Sequence, residues 1–126
     1  MLLLLDYLLT LSHLLLIGFN LFGWVHTRTR VAHRWTVGAT VLSWVALGWH
    51  YGWGYCLLTD WHWQVKRARG ETELPASFIK YQADHWTGLD LDAGIIDILT
   101  GMIFAILVVL AFLPLILSAV KRQHGQ

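Results

Sequence analysis

Three runs of apolar residues, Leu2–Val25, Trp35–Leu58 and Gly94–Val120, dominate the chain. Each is long enough to cross a hydrocarbon core that needs roughly 20 helical residues, so the pattern predicts three transmembrane helices. A mixed stretch, 59–93, separates the second from the third and carries two short helical signals. Thr59 is placed as an N-cap, Asp60 falls in the first turn, and Gly70 can end a helix that runs to about Arg69. Pro75 suits the first turn of another helix, on which Phe78, Ile79, Gln82, Ala83 and Trp86 form one stripe, and Gly88 can stop it. Both segments are short and carry charges of exposed type, which predicts a cap on the membrane surface. The expected fold is therefore a single all-α integral membrane domain over 1–126. It has three transmembrane helices and two short amphipathic helices capping the outer face.

Polar residues interrupt the apolar runs at regular intervals. Asp6, His13 and Asn20 recur every seven residues, with Thr10 between the first two, so all four share one helix face. Thr36, Ser43 and His50 repeat that spacing in the second run, with Thr40 on the same face. Unpaired polar groups facing lipid are costly, so the two stripes are expected to face each other. Aligning Trp24 with Trp35 at one boundary sets His13 and His50 about 4–5 Å apart in depth, at 1.5 Å rise per residue. Asp97 and Thr100 of the third run fall in the same half. The predicted intramembrane cluster is Asp6, Thr10, His13, Asn20, Ser43, His50, Asp97 and Thr100.

The end of the second run is unusually aromatic: Trp49-His50-Tyr51-Gly52-Trp53-Gly54-Tyr55-Cys56, then Thr59-Asp60-Trp61-His62-Trp63. Trp and Tyr collect at membrane–water boundaries because their rings are apolar while their N–H and O–H groups want wet partners. Trp49, Trp53, Cys56, Asp60, Trp61, His62 and Trp63 are thus expected to form a lid over the polar cluster. Glycines 18, 23, 48, 52 and 54 permit close helix approach inside the monomer; the Gly48-x-x-x-Gly52 spacing also occurs at dimer contacts.

Composition and charge narrow the class. Hydrophobic residues make up 56% of the chain and charged ones 13%, which favours a membrane protein over a soluble one. A net charge of +1 and no basic, aromatic-interleaved groove argue against nucleic acid as a partner. The single cysteine, Cys56, excludes an intrachain disulfide and reads as a buried small residue at a helix end. The leucine-rich start lacks a basic n-region and a small-residue cleavage site, so it is expected to stay as the first span. Arg28, Arg30, Arg34, Lys121 and Arg122 share one side of a three-span protein, against Lys66, Arg67, Arg69 and Lys80 on the other. Five basic residues against four places the N-terminus outside and the C-terminus in the cytoplasm.

Several chemistries compete for the polar cluster. Ser, Thr, Asn and His in membrane helices often act only as interhelical hydrogen-bond glue, and Asp6 and Asp97 lie near helix N-termini that favour carboxylates. An intramembrane His near an Asp also suits a proton or quinone site through His50 and Asp97, or b-type haem held between His13 and His50. No His-x-x-His spacing supports a metal site. Asp90-x-Asp92 lacks the other ligands of a calcium loop and reads as a cap for the third span. Pro114, inside the third span, predicts a kink. No nucleophile–base set and no dedicated cofactor motif is present, so a bound cofactor is not expected. The first functional expectation is a non-enzymatic structural or accessory subunit that works with a membrane-protein partner or larger complex. A small redox or proton-conducting module using His13, His50 and Asp97 is the alternative.

Asn20-Leu21-Phe22-Gly23-Trp24, His33-Arg34-Trp35 and Gly52-Trp53-Gly54-Tyr55-Cys56-Leu57-Leu58-Thr59-Asp60-Trp61-His62-Trp63 together resemble a bacterial family of small membrane proteins. That family is known only as domain of unknown function 2784, and the resemblance extends from His13 to beyond Asp97. It implies a bacterial inner-membrane protein and carries no activity with it.

Overall fold

The computed structural model describes residues 1–52 and 55–125. Among the described residues are five helices: α1 (Leu2–Phe22), α2 (Arg30–Tyr51), α3 (Leu57–Ala68), α4 (Phe78–Thr87) and α5 (Ala93–His124). No strand occurs among them. Two helices, α1 and α5, are long and apolar enough to cross a membrane, with mean hydropathies of 2.0 and 3.0. The expected third span, α2, has the length at 22 residues but not the hydropathy, because Arg30, His33 and Arg34 occupy its first turns. Most of the leucines, isoleucines and valines of α1 and α5 point outward. That is the reverse of a helix that packs into a water-soluble core.

Local signals set the helix ends. Asp92 caps α5, its carboxylate accepting from the Ile95 N–H at 2.9 Å. Ser77 caps α4, accepting from the Lys80 N–H. Pro75 therefore lies before α4 and not in its first turn, and its carbonyl instead accepts from the Trp63 indole at 2.6 Å. Gly88 ends α4 in the left-handed conformation, and Gly70 follows α3 with φ +95°. The second apolar run does not stay helical to Leu58. Gly52 takes φ +111°, a conformation only glycine adopts freely, and a Cβ there would meet that of Ala76 at 3.1 Å. α3 begins at Leu57 with Cys56 at its N-cap, so Thr59 lies inside the helix and is buried.

α1 packs most extensively on α3, and α2 on α5. The core cluster, Tyr55, Trp63 and Phe78, is flanked by Leu14 and Ile17 of α1 and Leu47 of α2. It lies where α1, α3 and α4 meet. At the other end of α1 the turn into α2 is stitched by polar bonds. The His33 ring donates to the Asn20 carbonyl at 2.7 Å, and the Thr29 hydroxyl donates to the Gly23 carbonyl at 2.6 Å. A Cβ on Gly23 would lie 3.1–3.2 Å from the His33 side chain, so this close approach does depend on glycine. Gly18 and Gly48 have open space beside them and mediate no such contact. α5 runs through Pro114 without a break.

Candidate functional site

The face of α1 set by the seven-residue spacing is buried as expected: Asp6, His13 and Asn20 are its buried residues. Its partner is different. α3, and not the α2 stripe, covers the first two of these residues, because Thr59, His62, Trp63 and Lys66 form the buried face of an amphipathic helix.

Asp6 is the hub. Its Oδ1 accepts from His62 Nε2 at 2.6 Å and lies 3.1 Å from Lys66 Nζ, and its Oδ2 accepts from Arg69 Nη1. Lys66 Nζ lies 3.4 Å from Glu71 Oε1 and 4.6 Å from the centre of the Tyr81 ring. The Tyr81 hydroxyl closes the circuit by donating to Glu71 Oε2 at 2.9 Å. Two carboxylates thus meet two fixed cations, and the cluster balances when His62 is neutral. The bond to Asp6 uses His62 Nε2–H, which leaves a bare Nδ1 buried with no partner. A second proton on that nitrogen would be buried and unsatisfied. Burial accordingly holds His62 below the usual imidazole range despite the pull of Asp6. Burial also pulls Lys66 down, but Tyr81 and Asp6 outweigh it and leave the ammonium above its usual value.

A second chain of contacts runs alongside. His13 Nδ1–H donates to the Leu9 carbonyl at 3.1 Å, so its Nε2 accepts from the Thr59 hydroxyl at 3.2 Å. Cys56 Sγ lies 3.2 Å from the same hydroxyl, and the Phe78 ring stacks on His13 at 4.0 Å between centroids. The Tyr55 hydroxyl donates to Asp60 at 2.8 Å, and burial with that bond pushes the phenol up to about 12.

Below these residues opens a cavity of about 360 Å³. α1 supplies His13, Ile17 and Asn20, α2 supplies Thr40 and Trp44, and α5 supplies Thr100, Phe104 and Leu107. Phe78, Ile79, Gln82, Ala83 and Trp86 all line it, so the predicted α4 stripe is a cavity wall. The walls are mostly apolar, with polar groups at separated points. One of them is unusual. Asn20 Nδ2 donates to Thr40 Oγ1 at 3.1 Å, whereas Asn20 Oδ1 is buried with no partner.

Other predicted site residues are placed apart. His50 is exposed and lies beside Tyr51, so the two expected haem ligands do not face one another: His13 points to Thr59 and α3. Asp97 is half-buried on α5, and no hydrogen bond or ion pair among the described residues joins it to Asp6, His13 or His50. Thr10 donates to the Asp6 carbonyl at 2.8 Å, Thr100 lines the cavity, and half-buried Ser43 does not. The lid divides. Trp49 and Trp61 are 88% and 52% exposed, whereas His62 and Trp63 are fully buried in the core and hub. Asp60 and Cys56 are bonded within the cap, and Trp53 lies outside the described residues. Lys66, Arg69, Glu71 and Tyr81 were not anticipated in the site. The spacing of His62, Lys66 and Arg69 along one face of α3 is the signal that could have found them. Among the described residues no group of three or more His, Cys, Asp or Glu converges to hold a metal ion.

A family model described as a protein of unknown function, DUF2784, matches residues 3–116. The chain belongs to that family. No curated protein and no solved structure matches it. The match covers the Asp6 hub, the cavity walls and Pro114, so all of these features lie within the family's own domain.

The hub makes two predictions. Asp6→Asn leaves Lys66 and Arg69 to share Glu71, and stability in micelles should fall by about 2–4 kcal/mol, below the full cost of a dry pair because Glu71 stays and Arg69 keeps solvent contact. A change of under about 1 kcal/mol in SDS or thermal unfolding would show that the hub is not structural. Acid should weaken the fold through His62. The unfolded imidazole takes a proton near pH 6.5 and the folded one resists it, so the unfolded state binds more protons and stability falls as the pH drops through about 6.5 and below. His62→Gln should shrink that dependence in a melting series; an unchanged slope would exclude His62 as its source.

Proposed function

We propose that this protein is a three-span protein of the bacterial inner membrane that takes up an apolar, hydroxyl-bearing molecule between α1, α2, α4 and α5. One observation carries the reading: Asn20, whose Oδ1 is a buried acceptor with no partner, is a wall residue of the cavity of about 360 Å³. Pockets of about 300–1,000 Å³ with apolar walls and a few placed polar groups suit small lipid-like ligands. A bare buried acceptor costs free energy unless a donor reaches it, and a ligand hydroxyl supplies one.

The membrane placement has its own support. α1 and α5 are apolar and face outward, and α2 bonds Asn20 through Thr40 and packs on α5. The exposed face of α2 is itself apolar at Trp35, Leu42, Val45 and Trp49, and its 22 residues reach about 33 Å at 1.5 Å each. Five Lys and Arg at the α1–α2 turn and the α5 end, against four between α2 and α5, support a cytoplasmic place for those segments and an outer N-terminus.

The ligand reading is tested by tryptophan quenching, because Trp44 lines the cavity. A brominated long-chain alcohol should quench saturably in the reconstituted protein, and the saturable component should be lost in Trp44→Phe. Asn20→Leu should weaken the alcohol by about three- to tenfold, the worth of one hydrogen bond, and leave the matching bromoalkane unchanged. Equal binding of alcohol and alkane by the native chain would sink the reading. A hydroquinone meets the same donor requirement at Asn20, a different place from the quinone site expected at His50 and Asp97, and the His13–His50 haem loses geometric support.

An accessory role in a larger complex is the second reading. It is favoured by a strongly exposed stripe on α2, Trp35, Leu42, Val45 and Trp49, two of them indoles. Gentle extraction and native mass analysis should then show a stable protein partner that Trp35→Ala with Trp49→Ala releases. A monomer in every mild detergent would exclude that role.

A further inference from the structure

Between Asp6 and Asp60 the chain contains no acidic residue, and none follows Asp97. Arg28, Arg30, Arg34, Lys121 and Arg122 therefore gather at one end of the molecule without a carboxylate to answer them. Two of the five are also fixed in place. Arg30 Nε donates to the Trp24 carbonyl at 3.0 Å, and Arg34 Nε donates to the Ala111 carbonyl at 3.0 Å. Each guanidinium is thus held by its inner nitrogen to backbone of a neighbouring segment. Neither forms an ion pair among the described residues, so the terminal Nη groups carry uncommitted donors. One helical turn separates the two residues on α2, which puts them on the same face.

Both line a second cavity, of about 170 Å³, with Trp24 and His33 and with Leu110, Ala111 and Pro114 of α5. Its floor is apolar and its charged wall is made of two arginines. Pro114, having no N–H, leaves the Leu110 carbonyl without its helical donor, one residue before the Ala111 carbonyl that Arg34 bonds. Trp24 donates its indole N–H to the Leu21 carbonyl and sits at the end of α1, the level at which aromatic residues mark a membrane boundary.

We propose that this cavity is a binding site for the phosphate of an anionic phospholipid, clasped by the Nη groups of Arg30 and Arg34. Paired guanidiniums recognise phosphate oxygens by parallel hydrogen bonds that an ammonium cannot copy. The apolar floor suits the glycerol and upper acyl carbons that a free phosphate would lack. The proposal rests on the membrane placement argued above, and it is independent of the ligand assigned to the larger cavity.

The test uses the full chain in nanodiscs and in neutral detergent, with phosphatidylglycerol and phosphatidylcholine as probes in native mass spectrometry. The native chain should retain phosphatidylglycerol preferentially. Arg30→Gln and Arg34→Gln should each cut that preference by about fivefold, the effect of one basic residue at an anionic surface. Arg34→Lys should lose it as well, because the charge stays while the anchored fork is gone. Arg28→Gln and Lys121→Gln, outside the cavity, should keep most of it. Arg30 is exposed, so its variant keeps the comparison valid if Arg34→Gln proves unstable. Equal retention of the two lipids, or equal losses in Arg28→Gln and Arg30→Gln, would overturn the proposal. Displacement of phosphatidylglycerol by inorganic phosphate alone would also overturn it, in favour of a soluble anion. Alkaline extraction separates the two readings: a chain that stays in the membrane pellet yet shows no lipid preference refutes this site alone.

Discussion

A carboxylate near the start of an apolar helix organises this molecule. Asp6 is buried, and a buried charge without partners is among the most costly things a fold can contain. The structure resolves that cost by bringing α3 back across α1, so that His62, Lys66 and Arg69 all reach the one side chain. Glu71 and Tyr81 then satisfy the lysine from its other side. Once α3 is held there, Thr59 meets His13, and Trp63 enters the core between α1 and α4. Removing the carboxylate would leave two cations sharing Glu71 alone and His62 without its acceptor.

The cavity inherits its shape from that arrangement. Its upper wall is built of His13, Cys56, Thr59 and Phe78, which stand in contact with one another through the Thr59 hydroxyl and the ring stack on His13. Its far wall belongs to α2 and α5, joined through the 4.6 Å Trp44–Phe104 ring contact. The Asp6 hub is therefore coupled to the space below it by a short path, α3 to Thr59 to His13. A rearrangement of the hub would move one wall and leave the other in place.

How far this was legible in the sequence depends on whether the information is local. The burial of Asp6, His13 and Asn20 follows from helical periodicity alone, and so does the α4 stripe of Phe78, Ile79, Gln82, Ala83 and Trp86. Asp92 as a cap and Gly88 as a left-handed stop are equally local. Which surface meets the α1 stripe is not. Two consecutive apolar helices suggested that their polar faces would pair, and only Asn20 with Thr40 does so. The loop from α2 is short enough to fold α3 against α1, and two cations, Lys66 and Arg69, with the His62 N–H outbid the weak hydrogen bonds that α2 could offer. Lys66 and Arg69 read as solvent-exposed because charge on a short helix usually is. His62 and Trp63 read as lid because an aromatic cluster at a boundary does not reveal which rings turn inward.

The two ends of the molecule then solve opposite electrostatic problems. At the Asp6 end the buried charges, Asp6 and Lys66, have counterparts within the chain in Arg69 and Glu71. At the other end Arg30 and Arg34 are fixed by backbone carbonyls, which orient a guanidinium but cannot neutralise it. Neutralisation there has to come from outside the chain. On the lipid-site proposal, anionic headgroups would provide it beside Trp24, whereas mobile counterions would do so only with the screening of a Debye length of about 8 Å. The buried carboxylate hub thus answers its own cations at one end, the two anchored guanidiniums have no carboxylate among the described residues at the other, and the apolar cavity lies between them.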